Sequence, residues 1–186
     1  MRKLYLFDCF GVVLSEISSM WLDAHCSQEQ KQYARRVLFR NVDTRVISQD
    51  ELYEQLADYC GVSKQSVAED WVRLAQVNWD TIEVIKRIRQ RGDVVALLSN
   101  ASVELIDDLF ERFELFQYFD RMFVSARYGF AKPDREFYQI CLDSFTERFD
   151  KIFFADDNPI NLQNLEELGI TPVLFTTAEQ FEKEIL

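Results

Sequence analysis

Histidine occurs once in the 186-residue chain, as His25. A single imidazole excludes a multi-histidine metal centre and argues against Ser-His-Asp or Cys-His catalysis. Glycine (5) and proline (3) are scarce, which excludes a linker-rich, collagen-like or low-complexity chain. The four cysteines, Cys9, Cys26, Cys60 and Cys141, fit no zinc-binding spacing and are expected to be reduced thiols. No apolar run approaches bilayer length, and the first residues lack the long apolar region of a signal peptide. A cytoplasmic location without membrane contact is therefore expected. Basic excess is absent as well: 21 Lys and Arg face 32 Asp and Glu, a net charge of −11. Counterion release from a nucleic acid needs the opposite balance, so no nucleic-acid partner is expected.

What remains suits a packed domain. Hydrophobic residues make up 48% of the chain, and 16 are Phe, ample bulky material for one core. Five short apolar runs stand out: Lys3–Phe7, Val94–Leu98, Arg121–Ser125, Lys151–Ala155 and Pro172–Phe175. They are nearly continuous rather than alternating, the pattern of strands buried on both faces. Helical signals separate the later ones. Ile82, Ile85 and Ile88 place a helix over Thr81–Arg91, and Ser102–Phe113 repeats apolar residues at helical spacing. Pro133 suits the first turn of a helix to about Phe145, and Asn158-Pro159 predicts a helix that Gly169 ends. Thr177 with Gln180 opens the last helix. Strand and helix in alternation predict an α/β fold, a doubly wound, Rossmann-like parallel sheet of five main strands.

About 80 residues separate the first two strands, more than one crossover needs. They read as helices: Ser15–Arg40, a helix from the Ser48/Glu51 capping box to Gly61, and Ser63–Val77. Residues 1–14 and 79–186 are thus expected to form the core, and residues 15–78 a small α-helical insertion upon it.

Ligands of an open parallel sheet bind beyond the carboxyl ends of its strands. Strand one ends in Asp8-Cys9-Phe10-Gly11, strand two in Ser99-Asn100 and strand four in Asp156-Asp157. The loop after strand three runs through Gly129 to Lys132-Pro133-Asp134. Three carboxylates, a Lys and a Ser converge at one edge in this reading. Carboxylates held together repel unless protonated or bridged by a cation, and a hard ion such as Mg²⁺ suits oxygen ligands.

Four segments in this order resemble the motifs of the haloacid dehalogenase superfamily, in the subfamily with an α-helical cap after the first strand. They are Leu6–Val13, Leu97–Asn100, Gly129–Asp134 and Phe153–Asn161. The combination is most similar to the small sugar-phosphate phosphatases. The resemblance implies a phosphoric monoester hydrolase acting on a small phosphorylated metabolite, a hexose phosphate or a similar ester. It makes Asp8 the nucleophile, Ser99 a hydrogen-bond donor to a phosphoryl oxygen, and Lys132 the neutralising cation, with Ser99, Asn100 and Lys132 binding substrate. It assigns Mg²⁺ to Asp8, the backbone carbonyl of Phe10, Asp156 and Asp157.

One position departs from the pattern. Most phosphatases of this superfamily carry an acid two residues after the nucleophile, where this chain has Phe10. Loss of a positioned acid costs about 10² to 10⁴ in rate. Three readings stay open: a phosphatase that works without this Asp, a metal-independent 2-haloacid dehalogenase, or a catalytically weak member kept for binding or regulation. The Asp156-Asp157 pair favours a metal site, because adjacent acids without a cation are uncompensated.

Each residue also has a plainer reading. Asp8 alone could end a turn, Ser99-Asn100 could cap a helix, and Lys132 alone could be a solvated loop residue. Asn161 is read as steadying its loop, and Cys9 as an inert buried thiol. In the insertion, Arg35, Arg36, Arg40 and Arg45 read as a solvated face, and Trp71 and Trp79 as packing residues. His25, Trp21 and Asp43 have no assigned role.

Overall fold

The computed structural model describes residues 2–185. Five parallel strands make one sheet: β1 (Leu4–Phe7), β2 (Val94–Ser99), β3 (Arg121–Val124), β4 (Ile152–Asp156) and β5 (Ile170–Leu174). Their order is β3-β2-β1-β4-β5. The order reverses at β1, so the crevice beyond its carboxyl end is the topological switch point. Phe7 lies level with Leu97 of β2 and Ala155 of β4, which brings Asp8, Ser99 and Asp156 to one edge. β1 and β2 are buried throughout, as their unbroken apolar runs require. β5 begins two residues before the expected start. It pairs only with β4, and an edge strand tolerates Pro172, which has no N–H to give.

Helices cover both faces: α6 (Trp79–Gln90), α7 (Val103–Arg112), α8 (Arg135–Asp143) and α9 (Ala178–Ile185). α6 starts earlier than its apolar repeat suggests because Asn78 caps it, accepting from the Thr81 N–H at 3.4 Å. α8 starts after Pro133 rather than on it. The Asp134 carboxylate turns to the Ala131 N–H, 3.1 Å away, instead of capping its own helix. The helix expected from Pro159 to Gly169 is instead two 3₁₀ turns, Pro159–Leu162 and Leu165–Leu168. Asn164 at φ 58° breaks the run between them, and Asn161 within it is held by Asp156.

Between β1 and α6 the chain forms α1 (Ile17–His25), α2 (Gln28–Tyr33), α3 (Phe39–Asp43), α4 (Gln49–Cys60) and α5 (Lys64–Leu74). The single helix expected over Ser15–Arg40 is interrupted at Cys26-Ser27. Ser27 and Gln30 form a capping box that restarts the helix, and a wider π turn over Ala34–Leu38 joins α2 to α3. The Ser48/Glu51 capping box is present, and Gly61 closes α4 at φ 68°. The chain leaves and rejoins the sheet region at adjacent points. Ser15 N–H donates to the Gln76 carbonyl at 2.9 Å, and Asn78 N–H to the Val13 carbonyl at 2.9 Å. Trp71 is buried, as expected of a packing residue, whereas Trp79 is 53% exposed. His25 stacks on Trp21 and lies 3.4 Å from Asp70, away from the sheet edge. Among the described residues no helix is long and apolar enough to cross a membrane.

Candidate active site

Lys132 is the centre of the switch-point cluster. Its side chain is completely buried, and Nζ stands 2.7 Å from Asp8 Oδ1 and 2.7 Å from Asp156 Oδ2. A buried ammonium survives only where its protons meet acceptors, and these two carboxylates supply them. Burial alone would depress the Lys132 pKa; Asp156 and Asp8 outweigh it and hold Lys132 above its ordinary value. Its backbone is fixed as firmly. Asn100 accepts from the Lys132 N–H at 2.8 Å and donates to the Lys132 carbonyl at 2.9 Å. The end of β2 therefore positions the loop after β3, and the Lys132–Pro133 peptide bond there is cis.

Asp156 is fully buried and saturated with donors. Besides Lys132 it accepts from Asn161 Nδ2, 3.1 Å from both oxygens, and from the Asn158 N–H at 2.8 Å. Asp8 accepts from the Cys9 N–H at 2.6 Å. Asp8, Asp156 and Asp157 each offer a carboxylate oxygen, all within 4.8 Å of one another. One Lys against three carboxylates leaves the cluster negative. Burial first, then Asp156, push the Asp8 pKa well above the ordinary carboxylate range, with Lys132 opposing. Burial, Glu16 and Asp156 push Asp157 up to about 6. Clustered hard oxygens with excess negative charge are the donor set that a divalent cation such as Mg²⁺ takes.

The cluster opens into a cavity of about 190 Å³ between the sheet edge and the helical insertion. Asp8, Phe10, Asn100, Lys132 and Asp157 form its floor. Ile17, Phe39, Val42, Leu52 and Trp71 from the insertion and Leu105 from α7 supply an apolar wall. A wider groove of about 920 Å³ shares Asn100 and Lys132 and runs out past Arg35 and Arg36, both exposed.

The structure thus brings together Asp8, Lys132, Asp156, Asp157 and Asn100, with Phe10 beside them. Ser99 stands apart: it is fully buried beneath its neighbours and does not line the cavity. Its Oγ is one of the buried polar atoms without a hydrogen-bond partner among the described residues. Asn161 steadies its loop as expected, by gripping Asp156. Cys9 is buried, and burial raises its thiol pKa well above the ordinary value, which keeps it protonated and inert.

Two residues of the insertion differ from their sequence reading: Arg40, read as part of a solvated face, is paired, and Asp43, left without a role, lies at the cavity. Arg40 donates to the Ala131 carbonyl at 3.2 Å and pairs with Asp134, tying α3 to the Lys132 loop. Asp43, one helical turn further on, lines the cavity. Nothing in the spacing marks either one, because both contacts join segments about 90 residues apart.

A parallel sheet with a buried Lys between carboxylates at its switch point defines an α/β protein with a charged cluster at the carboxyl ends of its strands. The chain belongs to the haloacid dehalogenase-like hydrolases, whose family model matches residues 2–169. It is 25% identical over 145 residues to drimenol cyclase drtB of Aspergillus calidoustus, covering 75% of this chain and 28% of that protein. It is 23% identical over 133 residues to sesquiterpene phosphatase astK of Aspergillus oryzae, covering 70% and 68%. The chain spans only 20–28% of the length of the first curated relatives it matches. Its fold is similar to that of the family enzyme bt-2542 of Bacteroides thetaiotaomicron, solved with magnesium and inorganic phosphate. The TM-score is 0.77 at 20% identity, with 100% of both chains covered.

Proposed function

We propose that the protein is a Mg²⁺-dependent phosphatase of a small-molecule phosphate ester, acting through an aspartyl-phosphate on Asp8. The observation that carries this reading is the buried Lys132, shared at 2.7 Å between Asp8 and Asp156 inside a negative cluster of three carboxylates. Such a cluster suits a cation and a phosphoryl group together and is uncompensated without them. A metal-independent dehalogenase would leave the adjacent acids Asp156 and Asp157 without a cation to compensate them. A phosphatase among the relatives and a magnesium–phosphate complex among the similar structures support the same class.

Asp8, the Phe10 carbonyl, Asp156 and Asp157 would hold Mg²⁺, which when bound neutralises the carboxylates and the phosphoryl oxygens. Asp8 attacks phosphorus, forming an Oδ–P bond as the ester P–O bond breaks; water then attacks phosphorus and restores the carboxylate. Lys132 fixes the Asp8 rotamer and neutralises the transferred group. For Ser99 to donate to a phosphoryl oxygen, its buried Oγ, unpaired among the described residues, must open to the ligand from below the cavity. Asn100 serves by holding Lys132, since its amide is engaged there at both ends. Helices α1–α5 act as a cap that narrows access and excludes water.

The cavity wall bears on the substrate. Ile17, Phe39, Val42 and Leu52 offer no partners for sugar hydroxyls, whereas Ser18, Asp43, Gln49 and Ser102 line the same cavity with polar groups. The apolar wall favours an ester with an apolar organic group, while the polar side would serve the hydroxyls of the hexose phosphate suggested by the sequence resemblance. Phosphate release from aryl, prenyl and sugar phosphates, with Mg²⁺ or with chelator, tests the reading. Mg²⁺-dependent release abolished in Asp8→Asn is expected. Chloride release from 2-chloropropionate without metal would replace it with the dehalogenase reading.

A further inference from the structure

Phe10 occupies the place where a proton donor to the leaving group is expected, and it has no proton to give. An alkoxide leaving group needs one, so the donor must come from elsewhere in the cavity. The cavity offers few groups that can serve. Lys132 is engaged by two carboxylates. Asp8, Asp156 and Asp157 belong to the cation cluster. Glu16 caps α1, accepting from Ser18 Oγ at 2.6 Å and the Ser19 N–H at 3.3 Å. Asp43 is the carboxyl that remains.

We infer that Asp43 is the general acid and base of the reaction, supplied by the helical insertion in place of the missing group at position 10. The inference rests on the phosphatase reading above and adds the residue that handles its proton. Asp43 lines the same cavity as Asp8, Phe10 and Lys132, on the side of the insertion. Among the described residues no hydrogen bond engages its carboxyl, so it is free to reach a ligand.

Its position is also rigid. Arg40 and Asp43 are three residues apart on α3 and share a helical face. Arg40 pairs with Asp134 and with the Ala131 carbonyl, and Asp134 in turn accepts from the Ala131 N–H. The helix carrying Asp43 is thereby fastened to the loop carrying Lys132. A carboxyl on a mobile cap could not hold the geometry that proton transfer demands, and this fastening supplies it.

The electrostatics agree. Burial raises the Asp43 pKa to about 7; Lys132 and Arg40 oppose the shift and Glu16 adds to it. A carboxyl poised near neutrality can give a proton and take one back at physiological pH.

As the Asp8 Oδ–P bond forms and the ester P–O bond breaks, the Asp43 proton passes to the departing oxygen and an alcohol leaves. In the second step the Asp43 carboxylate takes a proton from the water that attacks phosphorus. Phosphate is released, Asp8 is restored and Asp43 is protonated again.

The test compares kcat/KM of wild type and Asp43→Asn on an alkyl phosphate and on an activated aryl phosphate, whose phenolate leaves unaided. kcat/KM reports the first transfer alone. We expect Asp43→Asn to lower the alkyl value by about 10² to 10⁴ and the aryl value by less than about threefold. An equal loss on both esters, with the melting temperature no lower than that of wild type, would overturn the inference while leaving the phosphatase reading intact. A wild type that already fails on alkyl esters but cleaves aryl ones would also overturn it. No release from any ester by wild type would overturn both.

Discussion

Gly11 lies directly against the Asp157 carboxylate: a Cβ at position 11 would stand 2.2 Å from Asp157 Oδ2 and 2.5 Å from its Cγ. Gly11 also holds φ +81°, a conformation that costs an L-residue about 1–2 kcal/mol. The turn after β1 thus needs glycine twice over, once for its backbone and once so that Asp157 can join Asp8 and Asp156. Gly11→Ala is expected to lower unfolding stability and to weaken Mg²⁺ binding about 10- to 100-fold, read by calorimetry. In an Asp157→Ala background the stability cost shrinks, because the clash is relieved and only the backbone strain remains. Equal costs in the two backgrounds would show that Asp157 does not crowd position 11.

Ser99 separates function from stability. Its Oγ makes no hydrogen bond with the described residues, so Ser99→Ala breaks none and should leave unfolding stability unchanged or raise it by about 1 kcal/mol. If the hydroxyl meets a phosphoryl oxygen, kcat should fall by about 10²- to 10³-fold. Urea melts and phosphate release on one preparation read both. Unchanged turnover would make Ser99 a packing residue.

Lys132 carries the reverse expectation. Lys132→Met leaves Asp8 and Asp156 buried without their cation and should cost about 3–5 kcal/mol. The deficit should shrink as pH falls, since the stranded carboxyls take up protons in the folded state before they do in the unfolded chain. Urea unfolding with chelator from pH 5 to 8 measures it. A deficit independent of pH would mean that the two carboxylates are not the source.

How much of this was legible in the sequence depends on the range over which each interaction acts. The strands were, because burial on both faces demands apolar runs at Leu4–Phe7 and Val94–Ser99 that no helix period explains. The meeting of Asp8, Asp156 and Asp157 was, because each lies at a strand end and the parallel topology sends strand ends to one edge, whereas Lys132, eight residues past β3, was placed there by the resemblance. The break at Ser27 was missed although its signal is local, a Ser-x-x-Gln capping box inside a helical stretch. The two 3₁₀ turns after Pro159 were not legible, because the grip of Asn161 on Asp156 overrides helical propensity. The places of Arg40 and Asp43 were not legible, since Arg40 is fixed by tertiary contact with Ala131 and Asp134, and Asp43 by the cavity it shares with Lys132.

Asp43 makes a stability prediction independent of turnover. Its folded-state pKa, about 7, lies above the ordinary value, so its protonation stabilises the fold at low pH. That contribution is full below about pH 4 and is lost as pH rises through about 7. Lys132 and Arg40 oppose that shift, and Glu16 adds to it. Asn mimics the protonated carboxyl, so Asp43→Asn should gain stability relative to wild type between pH 5 and 8. Chelator-treated melts of both proteins measure the difference. A difference constant with pH would show that Asp43 is ionised in the fold at all these values.

The central claim is that phosphorus passes through Asp8. Acid-quenching the protein during turnover of a ³²P-labelled aryl phosphate with Mg²⁺, followed by peptide mapping, tests it directly. The account predicts label on the Asp8 peptide, chased by unlabelled substrate and absent in Asp8→Asn. Steady phosphate release with no label on the protein, or undiminished release by Asp8→Asn, would contradict it.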